Sequence, residues 1–266
     1  MTTTLTFLGT GDSMGVPRVY CDCPICTEAR STGLNRRYRS SALLTDPYGD
    51  RLMIDCGPDW LDQMRLLGLR SLNAALITHA HHDHIAGLPE WADACRWTKM
   101  KGRVYAPSDV FVTIRSQYPW LERFLHFIPN EDGCEFGDWR IRPVQVCHGR
   151  NGLSYAYVFE RPGYRWAYCS DAISLTEQQK EPLMRLDLLV LGTNFYKEDA
   201  EPGSRSVYDM VEAVQLIQEL VPVRVYFTHL SHGVDRNAAY DLPPQVKLAY
   251  HGLDVALTRS AGRVSG

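Results

Sequence analysis

Short apolar runs rich in branched and aromatic residues recur along the whole chain, and amphipathic stretches separate them. Runs of this kind, bounded by Gly, Pro, Asn and Asp, are typical of buried strands. They predict strands at residues 5–8, 41–44, 52–54, 74–78, 103–105, 140–146, 155–159, 165–169, 188–191 and 223–228.

The amphipathic stretches repeat their apolar positions at the spacing of a helix. In the last stretch, Val207, Met210, Val211, Val214 and Ile217 mark one apolar face. The pattern predicts helices at residues 60–67, 89–98, 108–117, 176–185 and 206–220. No Pro/Gly/Ser-rich linker and no short repeat divides the chain, so we expect one α/β domain over residues 1–266, with sheets inside and helices outside.

Charge and hydropathy narrow the range of partners. The chain has 28 Lys and Arg against 31 Asp and Glu, a net charge of −3, so no broad basic surface for nucleic acid or anionic lipid is expected. Apolar stretches such as residues 186–192 fall short of the roughly 20 residues that cross a bilayer. The start, MTTTLTFLGTG, reads as a first strand rather than a signal peptide, which predicts a cytoplasmic location.

Four histidines and an aspartate lie within six positions of LITHAHHDHIAGLPE, residues 76–90. The alternate residues His79 and His81 can project to one side of an extended turn, with Asp83 and His84 on the next bend. Imidazole and carboxylate are ligands that zinc and manganese accept. Without a metal, histidines protonated in one small volume would repel each other. The pattern therefore favours a metal site over a solvated polar turn.

An H-x-H-x-D-H pattern directly after a strand resembles the signature of the metallo-β-lactamase superfamily of binuclear metallohydrolases. The resemblance extends over most of the chain, because His148 in IRPVQVCHG, Asp171 in RWAYCSDA and His229 in VRVYFTHLSH follow in the order of the family's remaining ligands. It implies an αβ/βα four-layer sandwich, in which two mixed sheets are flanked by helices.

The resemblance also implies a ligand set for two divalent ions, Zn²⁺ or Mn²⁺. One ion would be held by His79, His81 and His148, the other by Asp83, His84 and His229, with Asp171 between them and Asp83 and Asp171 counted as catalytic. His82, the variable residue of the motif, would bind nothing. Asp55 in LMIDCG matches a strand-end Asp that supports the ligand loop by hydrogen bonding, although an Asp that merely caps the next turn is the alternative.

A second metal site is indicated by YCDCPICTEAR, which places Cys21, Cys23 and Cys26 within six residues. This trio, with His232 in the H-x-x-H that begins at His229, resembles the branch that contains the cyclic phosphodiesterase of the carbon–phosphorus lyase pathway. It implies a structural Zn²⁺ with no open position, which pins the N-terminal loop beside the active site. A disulfide pair and reduced surface thiols are the alternatives.

Two further predictions concern the substrate. Arg37 or Arg39, in the basic stretch RSTGLNRRYRSS, could pair with a substrate anion, whereas a solvated face is the plainer interpretation. Related phosphodiesterases and tRNA-maturing endonucleases carry a proton-donating His soon after the strand at residues 188–191. Here that segment reads LVLGTNFYKED, without a His. The candidates to replace it are His251 in KLAYHGLDVAL and Tyr196, and we prefer His251 because an imidazole pKa near 6.5 suits a general acid.

These features predict a binuclear metal-dependent hydrolase. The resemblance implies two ions roughly 3.5–4 Å apart that share a hydroxide nucleophile at neutral pH. The expected partner is a small molecule, a cyclic phosphate or other small phosphodiester, with no membrane and no nucleic acid. A carboxylic ester, thioester or lactone hydrolase is an alternative, as is a non-catalytic metal-binding protein with a degenerate site. A homodimer is an open alternative to a monomer.

Overall fold

The computed structural model describes residues 2–258 of the chain, and its elements follow the predicted alternation. The strands are β1 (Thr4–Gly9), β2 (Ser41–Thr45), β3 (Arg51–Ile54), β4 (Ala74–Leu76), β5 (Gly102–Ala106), β6 (Leu125–Pro129), β7 (Cys134–Phe136), β8 (Trp139–Cys147), β9 (Leu153–Arg161), β10 (Tyr164–Cys169), β11 (Leu188–Gly192), β12 (Val225–Thr228), β13 (Val246–Leu248) and β14 (Asp254–Ala256). The α-helices are α1 (Pro24–Ser31), α2 (Trp60–Leu66), α3 (His82–Ile85), α4 (Leu88–Thr98), α5 (Ser108–Gln117), α6 (Glu177–Lys180) and α7 (Met210–Leu220).

The strands form two seven-stranded mixed sheets of the same design. The first has the order β14-β1-β2-β3-β4-β5-β6, and the second has the order β13-β12-β11-β10-β9-β8-β7. Strands β3 to β6 are parallel in the first sheet, and β10 to β13 are parallel in the second. The remaining neighbours are antiparallel. Each sheet therefore presents a row of parallel carboxyl ends.

Apolar side chains fill three layers. Alternate residues of the two sheets, such as Phe7 and Leu44 in one and Trp166 and Tyr168 in the other, meet in the central layer. The outer face of the first sheet packs against α2, α4 and α5, and that of the second packs against α7. The order is helix, sheet, sheet, helix, which confirms the predicted αβ/βα sandwich.

Two predicted helices differ in extent from the observed ones. Helix α7 begins at Met210 rather than at 206, because Asp209 caps it in a reciprocal capping box with Glu212. Its predicted apolar face is wrong in part, since Val211 is 38% exposed while Leu216 is buried. The predicted helix at 176–185 is the short α6 followed by a 3₁₀ turn at Glu181–Leu183, where Pro182 cannot continue the helical hydrogen bonds.

The hydrophobic pattern did not predict α1, the short α3 or four strands at the sheet edges, β6, β7, β13 and β14. Three of these strands have only three residues each, too few to show an alternation. Helix α1 starts with Pro24 directly after the N-cap Cys23, so its first turn lies inside the cysteine motif. Within residues 2–258, no helix has the length and apolar character to cross a membrane.

Candidate metal centre

Five segments bring polar side chains to one edge of the two sheets. Asp55 follows β3, residues 79–84 follow β4, His148 follows β8, Asp171 follows β10 and His229 follows β12. Carboxyl ends of parallel strands meet at one edge of a sheet, and the two sheets place their edges side by side. The central apolar layer lies beneath, so these side chains share a buried floor.

The first group of possible ligands contains His79, His81 and His148, whose nearest ring nitrogens lie within 4.8 Å of one another. His79 Nε2 and His81 Nδ1 are 2.7 Å apart. The outer nitrogens have protein partners: His148 Nδ1 donates to the Ser206 carbonyl at 2.8 Å, and His79 Nδ1 lies 3.0 Å from Thr78 Oγ1. These contacts leave Nε2 of His79 and of His148 facing the shared space.

The second group contains Asp83, His84 and His229, again within 4.8 Å. Asp171 stands between the groups: its Oδ1 is 3.2 Å from His229 Nε2 and 3.7 Å from His148 Nε2, and its Oδ2 is 3.3 Å from His84 Nε2. His82 of the same motif is exposed and lies in neither group. One carboxylate thus approaches histidines of both groups.

The buried polar atoms and the donor types of these residues suit divalent cations. Among the described residues, His84 Nε2 and Asp171 Oδ2 are fully buried and lie 3.3 Å apart, yet neither makes a hydrogen bond. Buried polar atoms without hydrogen bonds are costly, and a cation coordinated by both would satisfy them. Imidazole and carboxylate together form a donor set that zinc and manganese accept.

Charge divides the cluster into two kinds of histidine. Burial lowers the pKa of His79, His81 and His148, which keeps these imidazoles neutral. Burial alone would also lower the pKa of His229, but Asp171 and Asp83 raise it to about 9. Carboxylates likewise raise the pKa of His84 well above its ordinary value despite its burial. Metal binding at such a site displaces protons, and the cation takes over their role beside the carboxylates.

Asp55 supports the loop that follows β4. Its carboxylate accepts hydrogen bonds from His84 Nδ1 at 2.7 Å and from the Thr78 N–H at 2.8 Å. Its backbone is left-handed (φ 60°), a conformation that non-glycine residues rarely adopt and that clusters at functional sites. Nearby, a Cβ on Gly57 would lie 2.0 Å from the Asp83 carbonyl oxygen, so only glycine lets the two loops approach this closely.

A separate group joins Cys21, Cys23, Cys26 and His232. His232 Nδ1 lies 3.2, 3.5 and 3.6 Å from the three sulfurs in that order. Tetrahedral zinc with ordinary Zn–S and Zn–N bonds separates neighbouring ligand atoms by about 3.6 Å, so the group fits this metal. Cys23 Sγ accepts the Cys26 N–H, and such bonds favour a thiolate.

The predicted substrate-binding residues already have protein partners. Arg37 is buried and donates to three oxygens of neighbouring residues, and Arg39 forms an ion pair with Asp59 at 2.9 Å. His251 lies beside Tyr38, with ring centroids 5.9 Å apart, and belongs to no group of possible metal ligands among residues 2–258. The roles proposed for these three residues stay predictions.

Two contributions to the site were not predicted from the sequence. The Ser206 carbonyl that receives His148 Nδ1 belongs to the main chain, which carries no residue signature. The adjacent Arg205 is buried in a network with Glu198, Asp209 and Glu212. In the sequence, this network shows only as several acidic residues around one arginine. Exposed helices commonly have the same composition, so the pattern does not indicate burial.

A facing pair of mixed sheets with histidines and aspartates at their shared edge defines the metallo-β-lactamase class of α/β protein. The sequence profile of the β-lactamase superfamily domain matches residues 50–230, more than half of the chain. The chain therefore belongs to the metallo-β-lactamase superfamily.

Individual relatives extend the match to nearly the whole chain. A solved diphosphatase of the PhnP family aligns with a TM-score of 0.84 and 29% identity, over 96% of this chain and 98% of that one. An octanoyltransferase of Porphyromonas gingivalis is 28% identical over 97% of this chain and 52% of that protein. A ribonuclease Z of Pyrobaculum arsenaticum is 26% identical over 76% of this chain and 58% of that protein. The chain thus spans about half the length of these two curated relatives.

Proposed function

We propose that the chain is a binuclear metal-dependent phosphodiesterase that acts on a small molecule. The observation that carries the proposal is the position of Asp171, whose carboxylate lies within 3.7 Å of His148, His84 and His229. A carboxylate that touches both groups of possible ligands is suited to bridge two cations, the arrangement of two-metal hydrolases.

The ligand assignment follows the two groups. One Zn²⁺ or Mn²⁺ would be held by His79, His81 and His148, the other by Asp83, His84 and His229, and Asp171 would be shared. When bound, such ions supply Lewis acidity and an activated nucleophile at neutral pH. A third, structural Zn²⁺ would be held by Cys21, Cys23, Cys26 and His232.

The chain's own residues orient this centre. Asp55 and the Ser206 carbonyl receive the outer nitrogens of His84 and His148, which fixes the rings and directs their Nε2 atoms inward. The carboxylates of Asp83 and Asp171 are buried, and neighbouring histidines keep their pKa below its usual range. Both carboxylates are therefore available as anionic ligands at neutral pH.

Two relatives support phosphorus as the reacting atom. The PhnP-family protein, which aligns with a TM-score of 0.84, is a diphosphatase, and a second relative is a ribonuclease. A substrate such as a cyclic phosphate or small phosphodiester suits a chain with net charge −3, because a surface of this balance offers no broad attraction to RNA.

A second candidate is the hydrolysis of a carboxylic ester, thioester or lactone. It is favoured by the relative whose name describes octanoyl transfer and which matches 97% of this chain. The same activated nucleophile would attack an acyl carbon, and fold alone does not fix the substrate. The third alternative, a metal-binding protein without turnover, predicts metal uptake and no hydrolysis of any compound.

The deciding experiment uses freshly purified protein of known metal content. Rates are measured on a cyclic phosphate, a p-nitrophenyl phosphodiester, a nucleoside diphosphate, an octanoyl thioester and a lactone, with Asp171→Ala as the matched variant. The proposal predicts phosphodiester hydrolysis that is lost in Asp171→Ala together with at least one cleft metal. Preference for the thioester or lactone would establish the second candidate, and wild-type rates in Asp171→Ala would show that another Asp bridges.

A further inference from the structure

One short segment contributes to both groups of possible metal ligands. His229 belongs to the cleft and His232 to the cysteine group, with only two residues between them. His229 has a left-handed backbone (φ 58°), which a residue with a Cβ adopts only when its surroundings hold it there. Whatever fixes residues 229–234 therefore governs ligands of both sites.

The side chain of Arg37 reaches this segment. It is 5% exposed, and its Nη2 donates to the Val234 carbonyl at 2.7 Å and to Asn35 Oδ1 at 3.2 Å. Its Nη1 donates to the Ser231 carbonyl at 3.4 Å. The planar fork of a guanidinium is well suited to hold two carbonyls in a fixed relation.

The electrostatic setting of Arg37 is unusual. In the described part of the chain, no carboxylate lies within ion-pair distance of its guanidinium, and burial lowers its pKa to about 10. Burying a cation among neutral acceptors is unfavourable unless hydrogen bonds offset the cost. Arg37 offsets this cost with three hydrogen bonds, two of them to main-chain carbonyls of residues 231 and 234.

Main-chain hydrogen bonds hold Arg37 and residues 229–234 against the loop after β1. The N–H and carbonyl of Arg37 pair with those of Val16, at 2.8 and 3.0 Å, in the loop that leads to the cysteines. The Leu230 N–H donates to the Thr10 carbonyl at 2.7 Å. Residues 229–234 are thus held between the loop after β1 and the side chain of Arg37.

We propose that Arg37 is a positioning residue that fixes residues 229–234 and so couples the cleft metal site to the cysteine site. It acts through His229 and His232 and touches no reacting atom. The inference rests on the proposed function for the identity of the ligands, but the rigidity that it assigns to the segment belongs to the protein without metal as well.

The test compares wild type with Arg37→Met and with Arg36→Met, an adjacent exposed arginine. Metal is added back to chelator-treated protein and counted. We expect Arg37→Met to weaken binding about tenfold or more at two sites, those of His229 and His232, and to leave the site of His79, His81 and His148 unchanged. In metal-free protein, hydrogen exchange of amides 230–234 should accelerate by about tenfold or more, and Arg36→Met should match wild type.

Two further variants keep the test decisive. Arg37→Lys retains the charge but lacks the fork, so it should behave like Arg37→Met, and full rescue by Lys would overturn the assigned role. If Arg37→Met does not fold, Asn35→Ala removes one acceptor of the fork and should show the same pattern to a smaller degree. Equal weakening at all three sites, or unchanged exchange at 230–234, would refute the coupling. The exchange measurement needs no metal and no turnover, so it stands even if the proposed function fails.

Discussion

The carboxylate of Asp55 accepts a hydrogen bond from His84 Nδ1 at 2.7 Å, and both side chains are completely buried. The same carboxylate accepts the hydroxyl of Thr78, whose oxygen lies 3.0 Å from His79 Nδ1. Since the hydroxyl proton goes to Asp55, the Thr78 oxygen accepts from His79. One buried carboxylate therefore orients a possible ligand from each of the two groups.

We expect Asp55→Asn to weaken cleft metal binding by about 10–100-fold, the usual effect of removing the acceptor behind a ligand. The new amide would place N–H groups against those of Thr78 or against His84, so the rings lose their orientation. Metal affinity is measured by competition with a chromophoric chelator. Asp46→Asn is the matched control, because Asp46 also receives main-chain N–H groups, at Tyr48 and Asp50, but in a distant turn. Equal affinity in wild type and Asp55→Asn would remove Asp55 from the metal site.

Metal content distinguishes a closed site from an open one. We expect close to three metals per chain after gentle purification, because the proposed ligands form two cleft sites and one cysteine site. Mild chelation should remove the two cleft metals first, since a site with four protein ligands leaves no open position for the chelator. Elemental analysis and thiol titration are the measurements. Two or fewer metals, with all thiols reactive, would contradict the closed zinc site.

Cys23→Ser tests the structural role of the cysteine group. The variant should lose zinc and melt at a lower temperature, because metal binding at a structural site contributes to folding free energy. The cleft metals should stay, since Arg37 still holds residues 229–234. Cys134→Ser, which changes a half-buried cysteine outside the group, is the control. Unchanged melting and zinc content would leave Cys23 without a structural role.

The order of the possible ligands could be predicted because each follows a strand whose apolar pattern is clear. His79 to His84 lie within six positions, and His148, Asp171 and His229 each end a recognisable run. The contacts behind them could not be predicted in the same way. The acceptor for His148 is a main-chain carbonyl, and the partners of Arg37 are carbonyls almost 200 residues away in the chain. A basic stretch looks the same in sequence whether its arginines are solvated or buried.

Prediction of the fold was also limited where the local sequence carries no pattern. The central strands of the second sheet show their pattern because both faces are buried, as in β10 and β11. Strands β13 and β14 pair at sheet edges and owe their extended form to tertiary contacts with β12 and β1. Such short edges carry too few residues for a local pattern to define them.

Arg205 provides a test on the other side of the cleft. Its guanidinium forms two 2.7 Å hydrogen bonds with Glu212 and one of 3.1 Å with Glu198, beside the Ser206 carbonyl that holds His148. Arg205→Met should cost about 2 kcal/mol of unfolding free energy, because partly buried carboxylates lose their partner. It should also weaken the site of His148 and leave the cysteine site intact. Arg115→Met, which breaks an exposed pair with Glu122, is the control. Equal metal binding in both variants would contradict the role of this network.

His251 is the predicted substitute for the missing proton donor. Its location and its pKa determine the pH range in which this role can be tested. It follows β13, which is parallel to β12, so His251 and His229 lie at the same edge of the sheet. Burial lowers the pKa of His251. A hydrogen bond with the Arg36 backbone opposes this, and the charges of Arg236 and Arg36 lower the pKa further. The ring is therefore mostly protonated only at pH values below the ordinary imidazole pKa of about 6.5.

We expect His251→Ala to slow the hydrolysis of an alkyl phosphodiester or cyclic phosphate at least about tenfold, because general acid help is worth roughly 10²–10⁴-fold for poor leaving groups. A p-nitrophenyl diester, whose leaving group needs no proton, should keep its rate. Only the protonated ring donates, so the ratio of wild-type to variant rate should rise as the pH falls through the lowered pKa and shrink above it. His126→Ala, at an exposed position on β6, is the control. Unchanged rates on both substrates would give His251 a purely structural role, whereas an equal loss on both would mean that it positions metal or substrate.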